Sequence, residues 1–443
     1  MKYLPILLLI FPFFLSAQAW EITEIGTVPE GVSNNAVAAA TVDDAVWIYS
    51  FSGIDNTLSS GGIHGKAWRF NTETGVTETL PNLPGGFGKI AAKASRIDNI
   101  IYIVGGYRVL SNGSEITSPA IHRFDVNTND YLTDGTETPT PVDDHVQAIW
   151  RDSLIFLVTG WSNTTNVPNV QIYTPNTNTW QAATSVPNNN NYKSFGASGT
   201  IIGDTIYYFG GASSTFPTGN PFPIQPWIRK GVINPNNPTD ISWSIMATDP
   251  NFVGYRTAAT QVDDQIFWLG GSEITYNFDG LAYSNNQVVS PANRSLGFEP
   301  TTGVLTPEFY PTIPMDLQSL GEESDSIKYI WGGMVENRLV SDKILRLVRN
   351  PLAVNVDEID KLLFNLQVFP NPSRDIITIT RSDQFTGPIT LTLFNSSGQV
   401  LRNYNNTEAT QQFELPKGQT GLFFLIAKYQ NQPISAPFSL IIN

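Results

Sequence analysis

Six times in its first 350 residues the chain repeats one pattern of polar and apolar positions. A polar turn carrying Asp is followed by a run of four to six apolar or aromatic residues and then by Gly-Gly or a near relative of it. The copies run from Asp44 to Gly53, Asp98 to Gly106, Asp152 to Gly160, Asp204 to Gly211, Asp264 to Gly271 and Asp325 to Gly333. Each run is short, β-branched and aromatic, and is bounded by turn formers, so each predicts a buried strand. Small-residue strands precede several of the Asp turns, as in Ala36 to Thr41, Ala91 to Ser95, Ala197 to Thr200 and Thr257 to Thr260. After each Gly-Gly and a variable loop comes an aromatic strand with a polar turn, as in Trp68-Arg69-Phe70-Asn71 and Ile172-Tyr173-Thr174-Pro175. The pattern therefore predicts a four-stranded unit repeated six times. Trp20 to Pro29 reads as an orphan outer strand and Ile344 to Val348 as a last repeat lacking one, so pairing the two would close a ring and cap two edges.

The repeat recurs about every 50 to 60 residues, and with its Gly-Gly and aromatic positions it resembles the kelch β-propeller family across residues 20–350. The resemblance implies six blades around an axis, with small residues on the innermost strand where the blades crowd together. It gives the glycines a structural role, since none of the pairs opens a helix that would cradle phosphate.

A second pattern follows. Phe369-Pro370-Asn371-Pro372 opens a run of short strands at Ile376 to Ile379, Ile389 to Phe394, Gly398 to Leu401 and Gly421 to Ile426. The Pro370-Asn371-Pro372 start, the turn and strand around Gly398 and the Gly421-aromatic strand resemble the type A C-terminal sorting domain of the type IX secretion system, found in Bacteroidetes. That resemblance implies a small antiparallel β-sandwich over residues 366–443 that engages the type IX machinery and takes the protein to the cell surface or outside the cell. The N-terminal residues agree with export: Lys2, the apolar run Leu4 to Leu15 and Ser16-Ala17-Gln18-Ala19 read as a Sec signal peptide over residues 1–19. The expected organisation is thus all-β: signal peptide, six-bladed kelch propeller over 20–350 closed by its N-terminal strand, linker over 351–365, and sorting sandwich.

Composition narrows the chemistry. The 443 residues carry a net charge of −14, which argues against nucleic acid and anionic membranes as partners. No later stretch approaches the length of a spanning helix, so no transmembrane segment is expected. There is no cysteine, which removes thiol nucleophiles, thiolate metal sites, a lipid anchor and the copper chemistry of the kelch enzyme galactose oxidase. His64, His122 and His145 fall in different repeats, and no metal or other cofactor is expected.

The long loops that follow the Gly-Gly strands, Ile54 to Lys66, Tyr107 to Pro119, Ala212 to Trp227 and Ser272 to Gly280, are rich in Ser, Asn, Gly, Pro and aromatics, as binding loops are. Arg108, Glu115, Arg229, Arg256 and Glu273 are the charged candidates near the mouth, and Tyr107, Trp161 and Phe216 are candidates for stacking on sugars. The pairs Asp43-Asp44, Asp143-Asp144 and Asp263-Asp264 read as turn formers in the hairpins between first and second strands. A second resemblance, to bacterial sialic acid mutarotase, implies Arg and Glu holding a carboxylated sugar and moving a proton. The reading favours a glycan- or protein-recognition module, with a mutarotase-type sugar enzyme or a ligand-free surface protein as alternatives.

Overall fold

The computed structural model describes residues 20–214, 221–246, 250–349, 366–381, 388–395, 399–418, 420–429, 432–433 and 438–442. The expected signal peptide and linker, Phe216 and Gly398 lie outside them. The chain divides into two compact units, one of Glu21–Arg349 and a smaller one that contains the C-terminal strands.

In the larger unit the repeat folds as six antiparallel blades of four strands, the second carrying a short fifth strand, Glu115–Thr117. The first is typical: Ala36–Val42 lies innermost, then Ala45–Ile54, Ile63–Asn71 and Thr77–Leu80 outward. The alanines Ala36, Ala38 and Ala40 pack on Tyr49 and Phe51 and on Ala92 and Ala94 of the second blade. Small side chains there let neighbouring blades approach near the axis. The sixth blade takes Gly321–Glu322, Ile327–Trp331 and Lys343–Arg349 from the end of the repeat region, and its outer strand is Trp20–Thr27. Buried side chains fill the space between blades, as where Tyr329, Trp331 and Ile344 of the sixth blade meet Val37, Ile48 and Phe70 of the first.

Backbone hydrogen bonds fasten each blade to the next. The N–H of the second glycine donates to a carbonyl of the following blade: Gly106 to Val142 (3.2 Å), Gly211 to Gly254 (2.7 Å), and at ring closure Gly333 to Val32 (2.9 Å). The first glycine is required by space as well as conformation. Gly332 has φ +69°, and a Cβ there would collide with the Val32 carbonyl oxygen of the first blade. Two repeats use a hydroxyl instead. Ser52 and Thr159 take positive φ (+59° and +52°), and their side chains donate to Lys89 O (2.6 Å) and Ser194 O (3.2 Å), the equivalent carbonyls.

A belt of equivalent residues surrounds the axis at the head of the inner strands: Asn34, Ala91, Asp144, Gly196, Arg256 and Asp316, all with φ between +46° and +69°. Hydrogen bonds link them in sequence, with Gly196 N to Asp144 O and Arg256 N to Gly196 O (both 2.8 Å), Asp144 N to Ala91 O and Asn34 N to Asp316 O (both 3.1 Å), and Ala91 N to the Asn34 Oδ1 (2.7 Å). The belt corrects one expectation. Asp43-Asp44 and Asp263-Asp264 do form the hairpin turns before Ala45–Ile54 and Gln265–Leu269, but Asp143-Asp144 precedes the inner strand Val146–Trp150 and stands at the axis.

The smaller unit has two sheets. Leu366–Phe369, Ile376–Arg381 and Thr410–Glu414 form one; Val400–Asn406, Ile389–Asn395, Gly421–Tyr429, Gln432–Pro433 and Phe438–Ile442 form the other. Alternate residues Ile377, Ile379, Leu391, Leu393, Phe423 and Leu425 face the shared core. Asn371 of the opening Pro-Asn-Pro accepts the N–H of Ile441 (2.8 Å), tying the first segment to the last strand.

Candidate functional site

A cavity of about 200 Å³ opens where the loops following the Gly-Gly pairs gather above the belt, lined by residues that include Tyr107, Glu115, Asp143, Trp161, Phe222 and Arg256. Its residues come from recurring repeat positions. Tyr107 and Trp161 directly follow the glycines of the second and third blades, Asp143 and Phe195 immediately precede belt positions, and Asp144 and Arg256 belong to the belt itself. Glu115, Phe222, Asn277 and Tyr283 come from the loops above.

The floor is ionic. Arg256, 2% exposed, donates from Nη2 and Nε to Asp144 (2.7 and 3.1 Å) and from Nη1 to Asp316 (3.1 Å). Its guanidinium also lies over the rings of Tyr255 and Tyr276, at 5.2 and 5.4 Å. Burial opposes its charge, but Asp144 and the carboxyl and phenol groups around it outweigh burial and hold the guanidinium above its ordinary range. The Gln318 amide joins the floor by donating to Asp144 (3.0 Å) and to Asn34 (2.9 Å). Arg256 and its partners are drawn from the third, fifth and sixth blades, so the ring must close before the network can form.

Two further carboxyls border the cavity. The Asp143 carboxyl is pushed well above the usual carboxylate range, first by burial and next by Asp144, while the Thr117 hydroxyl donating to its Oδ2 (2.7 Å) pulls the other way. Glu115 begins the strand Glu115–Thr117 at the rim, where crowding by protein raises its pKa and Arg256 opposes the rise. The walls are aromatic. Trp161, Phe195 and Phe222 meet edge to face with ring centres 5.2 to 5.5 Å apart, and Tyr283 packs on Phe222 at 4.7 Å. The Trp161 indole N–H is buried without an acceptor.

Of the residues singled out in the sequence, Tyr107, Glu115, Trp161 and Arg256 come together here. Arg108 instead lays its guanidinium over Phe87, 4.5 Å away. Arg229 is fully buried, holding the carbonyls of Asn191 and Gly210 (both 2.7 Å), and Glu273 pairs with Arg294. None of these three lines the cavity. Asp143, Asp144, Phe195, Phe222, Asn277 and Tyr283 were not anticipated. Asp143-Asp144 carried a usable signal, because the hairpin of its repeat is already supplied by Asp152-Ser153. Among the described residues no group of three or more His, Asp or Glu has the makings of a metal site.

Comparison with known proteins matches these two units. Residues 367–442 match the secretion system C-terminal sorting domain. A stretch of 177 residues is 24% identical to Kelch-like protein 36 of Mus musculus and 23% identical to its counterparts in Rattus norvegicus and Bos taurus, covering 40% of this chain. It spans only 26% of those relatives' own length. The solved structure titled "Structure of YjhT" superposes with a TM-score of 0.55 at 16% identity, over 72% of this chain and 95% of that one. The larger unit has the fold of a β-propeller similar to kelch proteins, and residues 367–442 are a secretion system C-terminal sorting domain. That domain marks the chain for export through type IX secretion, to the cell surface or outside the cell. Among the described residues no helix is long and apolar enough to cross a membrane.

Proposed function

We propose that this exported kelch propeller is a glycan-recognition module whose cavity receives one sugar unit. The observation that carries the reading is an aromatic wall of Trp161, Phe195, Phe222 and Tyr283 set over the polar floor of Asp143, Asp144 and Arg256. Sugars present apolar C–H faces and polar edges, and such a pocket answers both. A cavity of about 200 Å³ suits a single ring, and it is far smaller than the surface a folded protein partner needs. Binding of the full-length protein to a panel of mono- and oligosaccharides, measured by isothermal titration calorimetry, tests this. Trp161→Ala is expected to weaken binding by roughly 2 kcal/mol, about thirtyfold. A panel with no binder, or an unaffected variant, would remove the reading.

A second reading is favoured by the ionisation of Glu115 and Asp143. Both carboxyls hold a proton more tightly than a free carboxyl does, and a mutarotase-type enzyme needs a general acid to open and reclose the ring. Exchange of anomers by NMR, in the wild type and in Glu115→Gln, separates catalysis from binding. Exchange no faster than in buffer leaves the recognition module alone.

A further inference from the structure

The charge balance of the cavity bears on what kind of sugar it takes. Among the described residues that line it, Arg256 is the only one with a cationic side chain. Three of its N–H groups are already spent, two on Asp144 and one on Asp316, and both carboxylates are buried with it. Two N–H groups remain, but the single positive charge of the guanidinium already faces two buried carboxylates, so a ligand carboxylate would add a third negative group around one cation with no second cation to balance it. A second cation that acts on this network, Lys93, is turned to a different task, its Nζ donating to the Gln318 carbonyl at 2.6 Å. Asp143 and Glu115 also line the cavity, and any negative charge either acquires repels an anion. For hydroxyl groups the same surroundings are favourable. Carboxyl oxygens accept from sugar hydroxyls.

We infer that the cavity selects an uncharged sugar, a neutral hexose or its N-acetylated form, and turns away sugars that carry a carboxylate. The inference rests on the carbohydrate reading of the site and deepens it. It also separates this propeller from the use of a free arginine to clamp an acidic sugar, because here the protein's own carboxylates occupy the clamp.

Matched pairs test it on the full-length protein by calorimetric titration: galactose with galacturonic acid, glucose with glucuronic acid, N-acetylmannosamine with N-acetylneuraminic acid. In the pair that binds, the neutral member is expected to be at least tenfold tighter at 0.15 M salt. Equal or tighter binding of the acidic member overturns the charge argument and leaves the carbohydrate reading standing. No binding by either member of any pair overturns both. Asp144→Asn, checked for folding by circular dichroism, frees part of Arg256 and is expected to raise the affinity of the acidic member at least tenfold. A folded variant with an unchanged ratio would also defeat the inference, and if the variant does not fold the wild-type pairs decide it.

Discussion

At the scale of single residues, the junctions between blades show how little freedom the repeat leaves. Gly332 and Gly75 have nearly the same φ, +69° and +71°, but a Cβ at Gly75 meets nothing within 4 Å whereas one at Gly332 strikes the Val32 carbonyl. Gly75→Ala is therefore expected to cost only the left-handed backbone penalty, about 1 kcal/mol. Gly332→Ala adds displacement of the first blade and is expected to cost about 3 kcal/mol or more, read as the difference between the two denaturation midpoints. Lys89 makes a different prediction. Its ammonium is buried without a hydrogen-bond partner, and burial brings its pKa from 10.5 down to about 7. Between those values the unfolded chain binds a proton that the folded chain does not, so Lys89 makes stability rise with pH through this window and be lost as pH falls through 7. Lys89→Met removes the buried amine and keeps the stem. It is expected to be more stable than the wild type at pH 6, by on the order of a few kcal/mol, and to show a flatter profile between pH 7 and 10 in thermal melts.

At the scale of strands and blades, closure by the N-terminal strand is the step on which the ring depends. Trp20–Thr27 covers the outer edge of Lys343–Arg349, with the Val28 N–H donating to Asp342 O (2.8 Å) and Glu24 paired to Lys343 (2.9 Å). Without residues 20–28 the sixth blade would present an unpaired edge. The shortened chain is expected to unfold at lower temperature and to associate through that edge, seen as a rising apparent mass in light scattering; an unchanged melt and a monomer would contradict the closure argument. The blades themselves were legible because a strand announces itself locally, through period and turn residues, and six copies reinforce one another. The cavity was only half legible. Tyr107 and Trp161 follow the glycines and could be found by counting along the repeat, but Arg256 meets Asp144 across 112 residues, and no local pattern records that pairing. The Asp143-Asp144 pair shows the same limit, since two aspartates look alike in a turn and at an axis and only their register against the inner strand tells them apart. Arg229 shows the converse, a cation in the strand Ile228–Asn234 whose Nε and Nη1 donate to backbone carbonyls rather than reaching the cavity.

At the scale of the whole molecule, export and the proposed recognition are divided between separate stretches of chain. The cavity-lining residues fall between Tyr107 and Tyr283, inside the unit Glu21–Arg349, while the sorting match begins at residue 367. The larger unit has its own inter-blade cores, and its ring is closed by the strand Trp20–Thr27. The sorting unit likewise has its own core around Ile377, Leu391 and Leu425. A chain ending after Arg349 is therefore expected to keep both its melting temperature and its sugar affinity within about twofold, a difference of roughly 0.4 kcal/mol. The same truncation, expressed in the native host, is expected to hold the protein inside the cell envelope, because the segment read by the secretion system has been removed. The two readouts are independent. Retained binding with lost export supports the division, whereas a truncated chain that loses its ligand would show that the sorting segment takes part in recognition as well as in transport.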